Sequence, residues 1–341
     1  MILVTGGDGY IGSNCVLRLL ENGEEVVIFD NHSTGHSETG AKLAQLFVGK
    51  VYVFEGDLME PKDLDALFGQ YDIDAVIHFA AFSQVAESMS DPAKYWRNNV
   101  VGTMNLLDAM NRAGVKKIVF SSTAATYGEP DYVPIDEKHP QKPINPYGQT
   151  KLAIEHMMDN YDVAYGIRSV RLRYFNVVGT DTKARIGEWH DPETHLIPNI
   201  LKSLFEEGRV FTIFGDDYPT KDGTCIRDYV NVLDLVDAHI LALDYLDAGG
   251  KTDFFNLGTS GGYSVKEVFE TCRTVTGKDI PVTIAGRRPG DPAVLVADNS
   301  KAKEVLGWAP RRTLEQSIKT AYAWEKHMHP APLGRPSRKK P

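Results

Sequence analysis

Ile2-Leu3-Val4-Thr5-Gly6-Gly7-Asp8-Gly9-Tyr10-Ile11-Gly12 decides how this chain folds. The short apolar run reads as a buried strand, and the residues after it as a tight turn. Glycines at Gly6, Gly9 and Gly12 remove side chains that would block the turn and keep a pyrophosphate away from the backbone. The helix expected from Ser13 to Asn22 turns its positive N-terminus toward that phosphate. A second apolar run, Val26-Val27-Ile28-Phe29, ends at Asp30, eighteen residues after Gly12. A carboxylate at that point accepts from a ribose 2′-hydroxyl. The pattern as a whole places a dinucleotide-type site at the head of the chain.

Strand and helix signals alternate onward from this unit. Val51 to Phe54, Ala75 to Phe79 and Lys117 to Phe120 read as further strands, with helical stretches at Pro61 to Gly69 and Asn98 to Gly114. Strands apolar on both faces imply a parallel sheet covered by helices. Arg168 to Tyr174 is another strand. After it the alternation loosens into Gly-, Asp-, Pro- and Thr-rich loops, from Gly179 to His195 and from Gly215 to Thr224. The fold class expected is α/β: a Rossmann-type doubly wound parallel sheet with a smaller mixed α/β substrate domain. The nucleotide domain is expected over 1–176, with a segment near 226–257 returning to it. The substrate domain is expected mainly over 177–329, and a disordered tail over 330–341.

The chain has 341 residues, 42% hydrophobic and 24% charged, ordinary usage for a globular enzyme. No apolar run reaches the length of a membrane helix, and with a strand expected from residue 2 no leader segment is expected. Cys15, Cys225 and Cys272 are odd in number and far apart, with no histidine at metal-ligand spacing. A reducing cytoplasm and no metal site are therefore expected. The net charge of −9 argues against a nucleic-acid surface, so an anionic ligand needs local positive charge.

A second constellation carries the chemistry. Lys117 to Phe120 runs into Ser121-Ser122-Thr123, and farther on Tyr147-Gly148-Gln149-Thr150-Lys151 puts a phenol and an ammonium one helical turn apart. The lysine is expected to lower the tyrosine pKa from about 10 toward working pH, which makes Tyr147 a general base. Thr123 lies at the carboxyl end of a parallel strand, where open sheets bind ligands, and can hydrogen-bond the same substrate hydroxyl.

These segments, with Phe29-Asp30-Asn31, Ile77-His78-Phe79-Ala80-Ala81, Ser121 to Gly128 and Arg173-Tyr174-Phe175-Asn176, resemble the extended short-chain dehydrogenase/reductases. Phe214 to Thr224, Arg227-Asp228-Tyr229 and Arg287-Arg288-x-Gly290-Asp291 narrow the resemblance to the UDP-glucose 4-epimerases, over about residues 1 to 327. The resemblance implies NAD as cofactor: the Tyr10-Ile11 turn holds the pyrophosphate, Asp30 and Asn31 the ribose, and Asp57 and Leu58 the adenine. Phe79, Ala80, Asn98 and Ser121 line the rest of the groove, with Phe175 beside the nicotinamide. Thr123, Tyr147 and Lys151 are the implied catalytic set. Asn176, Asn199 or its neighbour Leu196, Arg227, Arg288 and Asp291 are implied to cradle the UDP group. The reaction implied is interconversion of UDP-galactose and UDP-glucose through a transient 4-keto sugar, with hydride passing to and from tightly bound NAD. A homodimer built through a four-helix bundle is implied as well.

The chain departs from the family pattern at three places. Ser83 replaces a lysine common near the cofactor, which implies weaker NAD retention. Thr123 stands where serine is frequent and keeps the hydroxyl. Leu295 occupies a sugar-pocket position that is tyrosine in some members and small in others, so it bears on substrate range. Two alternatives carry less support. A nucleotide-sugar dehydratase needs an acid and a base directly after the threonine, where this chain has Ala124 and Ala125. A non-catalytic NAD sensor has no need for Tyr147 and Lys151. Epimerization of another UDP-sugar, an N-acetylhexosamine or a pentose, is the nearer competitor.

Overall fold

The structure is a computed structural model that describes residues 1–288 and 291–330. Gly290 of the arginine motif and residues 331–341 of the expected tail lie outside the described residues. Seven strands form one parallel sheet: β1 (Ile2–Thr5), β2 (Val26–Asp30), β3 (Val51–Glu55), β4 (Ala75–His78), β5 (Lys117–Thr123), β6 (Arg168–Tyr174) and, much later, Asp253–Leu257. The order across the sheet is Asp253–Leu257, β6, β5, β4, β1, β2, β3. The winding therefore reverses between β1 and β4, and a crevice opens where their carboxyl ends part.

Strand side chains alternate between the sheet faces. Val4, Val26 and Ile28 enter one core with Val16 and Leu19 of the first helix and Leu235 of the Val232–Asp247 helix. Leu3, Val27 and Phe29 enter the other core, with Leu64, Leu106 and Ile154 from three helices on the opposite face. Both faces being apolar is what makes the strands continuous hydrophobic runs.

Several boundaries differ from the sequence expectation. The first helix starts at Tyr10 rather than Ser13. β5 runs on through Ser121, Ser122 and Thr123, because these residues keep ladder partners in Leu172, Arg173 and Tyr174. The expected Asn98–Gly114 helix divides into a π-helical segment, Trp96–Val101, and an α-helix, Gly102–Ala113. Asn99 is buried there, and its side-chain oxygen accepts from the Phe82 amide at 2.9 Å, which ties this turn to the loop after β4.

Beyond β6 the chain builds short sheets: β7 (Asn176–Val178) beside β10 (Tyr229–Asn231), β8 (Phe211–Phe214) beside β13 (Val282–Ala285), and β9 (Ile226–Arg227) between β12 (Tyr263–Ser264) and β14 (Val294–Leu295). The Asp253–Leu257 strand of the main sheet is β11 in chain order. A third core of Ile197, Ile200, Phe211, Phe269 and Ile318 holds this part together.

Candidate active site

The glycine turn has no room for side chains. Gly6 adopts φ +69°, and a Cβ on Gly12 would stand 2.0 Å from the Gly6 carbonyl oxygen. The helix that follows carries no acidic residue in its first turn, so its N-terminal amides remain available to an anion. At the end of β2 the Asp30 carboxylate accepts from the amides of Asp8 at 3.0 Å and His32 at 2.9 Å, which fixes its orientation. Asn31 donates to Asp57 at 3.0 Å, bringing the ends of β2 and β3 together beside buried Leu58. These residues suit a dinucleotide: a backbone cradle closed to side chains, then a fixed carboxylate and polar groups at the ends of the next two strands.

The catalytic helix, Pro146–Tyr165, begins where Asn145 caps the Gly148 amide at 2.8 Å and Pro146 takes the first helical position. Tyr147, Lys151 and Glu155 follow on one face at one-turn intervals. Lys151 Nζ donates to the Ser121 carbonyl at 2.7 Å and lies 5.9 Å from the Tyr147 ring centroid. Thr123 Oγ1 accepts from Ala125 N at 3.1 Å. Glu155 was not foreseen from sequence: it pairs with Arg173 inside the protein, with Nε–Oε1 at 2.9 Å, and accepts from Ser122 at 2.5 Å. Burial acts to raise the Glu155 pKa, but hydrogen bonds and charge from Arg173 hold it below the usual range.

One expectation about this set is corrected. Lys151 does not bring the tyrosine down in the protein alone, because burial pushes the Tyr147 phenol up to about 12, only partly opposed by Thr123. Burial also lowers Lys151 to about 7, against the charge of Glu155. The same loss of water penalises phenolate and ammonium alike.

A cleft of about 1200 Å³ runs from the glycine turn past Thr123, Tyr147 and Lys151 to the later loops. The turn residues Gly6, Gly9, Tyr10, Ile11 and Gly12 line it, as do Asp30, Asn31, Asp57 and Leu58. Phe79, Ala80, Asn98, Ser121 and Phe175 line its middle, and Ser83 lies there too. The far end is formed by Asn176, Leu196, Asn199, Arg227, Arg288, Asp291 and Leu295. All the sequence-derived site residues thus share one cavity wall.

Some are already engaged. Arg227 is buried and ion-paired with Asp291, and it also donates to the Ile226 carbonyl at 2.8 Å. Arg288 lies 4.0 Å above the Phe214 ring. Asn199 donates to the carbonyls of His195 and Glu193, at 2.8 and 3.2 Å, and accepts from Arg209, a cleft arginine the sequence reading passed over. Leu295 pairs in register with Arg227 across β14 and β9 and packs with Phe175 against Ala124, Tyr127 and Ile135.

The expectation that no histidine stands at metal-ligand spacing is also corrected. Glu188, His190, Glu193 and His195 offer ligand atoms that all lie within 4.8 Å of one another, on the cleft wall. The signal in the sequence is Glu-x-His-x-x-Glu-x-His in a loop with no regular period to draw attention to it.

The family model described as GDP-mannose 4,6 dehydratase matches residues 3–321. A UDP-glucose 4-epimerase of Lacticaseibacillus casei is 51% identical over 334 residues, covering 98% of each chain. The chain belongs to the UDP-glucose 4-epimerase family. Solved epimerases of this family superpose closely. The Brucella ovis UDP-glucose 4-epimerase in complex with NAD has a TM-score of 0.89 at 46% identity, covering 94% of this chain and 97% of its own. The Bifidobacterium longum enzyme in complex with NAD+ and UDP has a TM-score of 0.91 at 37% identity, covering 96% and 98%.

Proposed function

We propose that this chain interconverts UDP-galactose and UDP-glucose, with NAD as its cofactor, as a step of galactose metabolism. The observation that carries the reading is the meeting of Tyr147, Lys151 and Thr123 with the glycine turn and two arginines in one cleft. The turn residues Gly6 to Gly12 hold the cofactor's pyrophosphate, Asp30 and Asn31 its ribose, and Asp57 and Leu58 its adenine. Phe79, Ala80, Asn98, Ser121 and Phe175 surround the rest. When bound, NAD supplies a positively charged ring that favours the Tyr147 phenolate and a carbon that takes and returns the hydrogen of sugar C4.

Tyr147 accepts the proton of the sugar's 4-hydroxyl and later gives it back, while Thr123 orients that hydroxyl. Lys151, held by the Ser121 carbonyl, stabilises the phenolate when it forms. Arg227 and Arg288 bind the diphosphate, for which Arg227 exchanges part of its pairing with Asp291. Fixed at the diphosphate, the sugar is free to turn over in the pocket and present its other face, so remote binding energy retains the keto intermediate. Asn176, Leu196, Asn199 and Leu295 shape the pocket. Ala124 and Ala125 offer no acid or base for the elimination that a dehydratase performs.

The reading extends to organisation. Residues 1–176, joined by the segment near 226–257, hold the cofactor, and the remainder to 329 holds most of the substrate. A homodimer forms through the Gly102–Ala113 and Pro146–Tyr165 helices, which leave Met104 and Val163 in solvent. The site of action is the cytoplasm: no helix among the described residues is long and apolar enough to cross a membrane, and the three cysteines are buried and unpaired.

Purified protein given UDP-galactose without added reductant is expected to form UDP-glucose. Tyr147→Phe lowers kcat by about 10²- to 10⁴-fold with little change in substrate binding. Normal turnover in that variant removes Tyr147 from the role of base. Running UDP-N-acetylgalactosamine and UDP-arabinose in parallel decides between this reading and an epimerase of another UDP-sugar.

A further inference from the structure

We propose that Glu188, His190, Glu193 and His195 bind a first-row divalent transition-metal ion, zinc above all, which braces the loop before the Leu196–Lys202 helix. Four imidazole–carboxylate pairs define the site. His195 Nδ1 stands 3.0 Å from both Glu188 Oε1 and Glu193 Oε1, and His190 Nδ1 stands 3.5 Å from Glu188 Oε1 and 3.8 Å from Glu193 Oε2. A tetrahedron with metal–ligand bonds of about 2.1 Å has edges of about 3.4 Å, inside this range.

Within the cluster His195 Nδ1 and Glu193 Oε1 form a hydrogen bond at 3.0 Å, and Glu193 Oε1 also accepts from the amides of Thr194 and His195, which leaves the other ligand atoms over. Glu188 Oε1, His190 Nδ1 and Glu193 Oε2 are all buried and without a hydrogen-bond partner. The two carboxylate side chains are only 8% and 2% exposed, so water does not relieve them. Buried carboxylates this close to one another repel unless positive charge, a metal ion or protonated imidazoles, stands between them. Lys202 forms an ion pair with Glu193 Oε2 at 3.7 Å from outside the quartet.

The donor set selects the metal. Two imidazoles and two carboxylates suit zinc and its neighbours, whereas magnesium and calcium take all-oxygen shells. With four protein ligands the shell is closed, so the ion is structural and leaves no position for substrate. The loop is built to hold this shape. The Trp324 indole donates to the Glu188 carbonyl at 2.8 Å, and a Cβ on Gly187 would collide with the Trp324 ring at 2.3 Å. His195 immediately precedes the Leu196–Lys202 helix, and the His190 ring meets the Tyr10 ring edge-on with centroids 6.2 Å apart. Tyr10 itself donates to the Gly179 carbonyl at 2.5 Å. The ion thus ties the phosphate turn to the helix that carries Leu196 and Asn199. This inference stands independently of the sugar reaction.

The test is zinc content of the full-length protein, purified with its own NAD, incubated with zinc sulfate and desalted, then measured by elemental mass spectrometry. About one zinc per chain is expected, with a rise in Tm that a chelator reverses. His190→Ala and Glu193→Gln should retain at least about tenfold less zinc. His195→Gln, at a half-exposed side chain, gives a third variant that leaves the core alone and should lose zinc likewise. Bound NAD in each variant reports that the fold is intact. Wild-type protein that carries no zinc after loading, or variants that retain as much as wild type, overturn the proposal. Activity on UDP-galactose, assayed separately, shows whether the reaction survives that outcome.

Discussion

Gly12→Ala places a methyl carbon 2.0 Å from the Gly6 carbonyl oxygen, 2.9 Å from the Gly6 carbonyl carbon and 3.0 Å from Gly7 Cα. All three are backbone atoms, so no side-chain rotation relieves the clash. Ordinary contact begins at 3.4 Å, so the turn and the helix must separate by about 1.4 Å at this point. Gly6 cannot retreat freely, because a Cβ built on it already stands 2.7 Å from Ala80 N, which measures how tightly the turn sits against β4. Overpacking costs about 1–3 kcal/mol, and where it falls on backbone of the NAD-binding turn the upper end corresponds to on the order of 10²-fold in Kd. Calorimetric titration of NAD into stripped protein should therefore show Kd raised about 100-fold, and Gly12→Ala should purify with little bound NAD. Overpacking is expected to lower stability as well, by about 1–3 kcal/mol, which thermal melts of the NAD-free proteins report. Gly69→Ala serves as the control, since nothing lies within 4 Å of its added Cβ. Wild-type NAD affinity and melting in Gly12→Ala would refute the reasoning, both for the close approach and for phosphate at this turn.

Asp30 repels a 2′-phosphate and bonds a free 2′-hydroxyl, so NAD should bind far more tightly than NADP in paired titrations; equal affinities contradict its role. Leu295, packed with Phe175 against Ala124 and Tyr127, should restrict the sugar pocket, favouring UDP-glucose and UDP-galactose over the N-acetylated pair by about 10- to 200-fold in kcat/KM. Leu295→Ser should narrow that ratio, and comparable wild-type turnover of both pairs would assign the pocket width to other residues. Lys151 has a folded-state pKa of about 7 against an ordinary 10.5, so between these values the unfolded chain binds the extra proton and stability rises with pH. Denaturant titrations of the NAD-free protein should show that rise, on the order of a few kcal/mol, and Lys151→Met should lack it; parallel pH profiles would mean the amine is not desolvated.

The sequence by itself determined what depends on local spacing. The continuous apolar run from Val26 to Phe29 ending at Asp30, the glycines from Gly6 to Gly12 and the one-turn separation of Tyr147 and Lys151 are properties of a few consecutive residues, and each survives in the structure. β5 was read three residues short because Ser121 to Thr123 look polar, and only their ladder with β6 makes them strand. Tertiary structure alone decided how charges are shared. The Arg227–Asp291 pair spans 64 positions and the Arg173–Glu155 pair joins a strand to a helix, distances that no periodicity encodes. It also decided the acidity of Tyr147, since the direction of that shift comes from water excluded by the whole cleft rather than from Lys151 next to it in the helix. The Glu188 to His195 quartet is local in sequence, yet it lies in an irregular loop whose backbone directions are set by Trp324 and Tyr10. A helix or strand fixes the facing of residues by its repeat, whereas in such a loop the facing is fixed only by what packs against it.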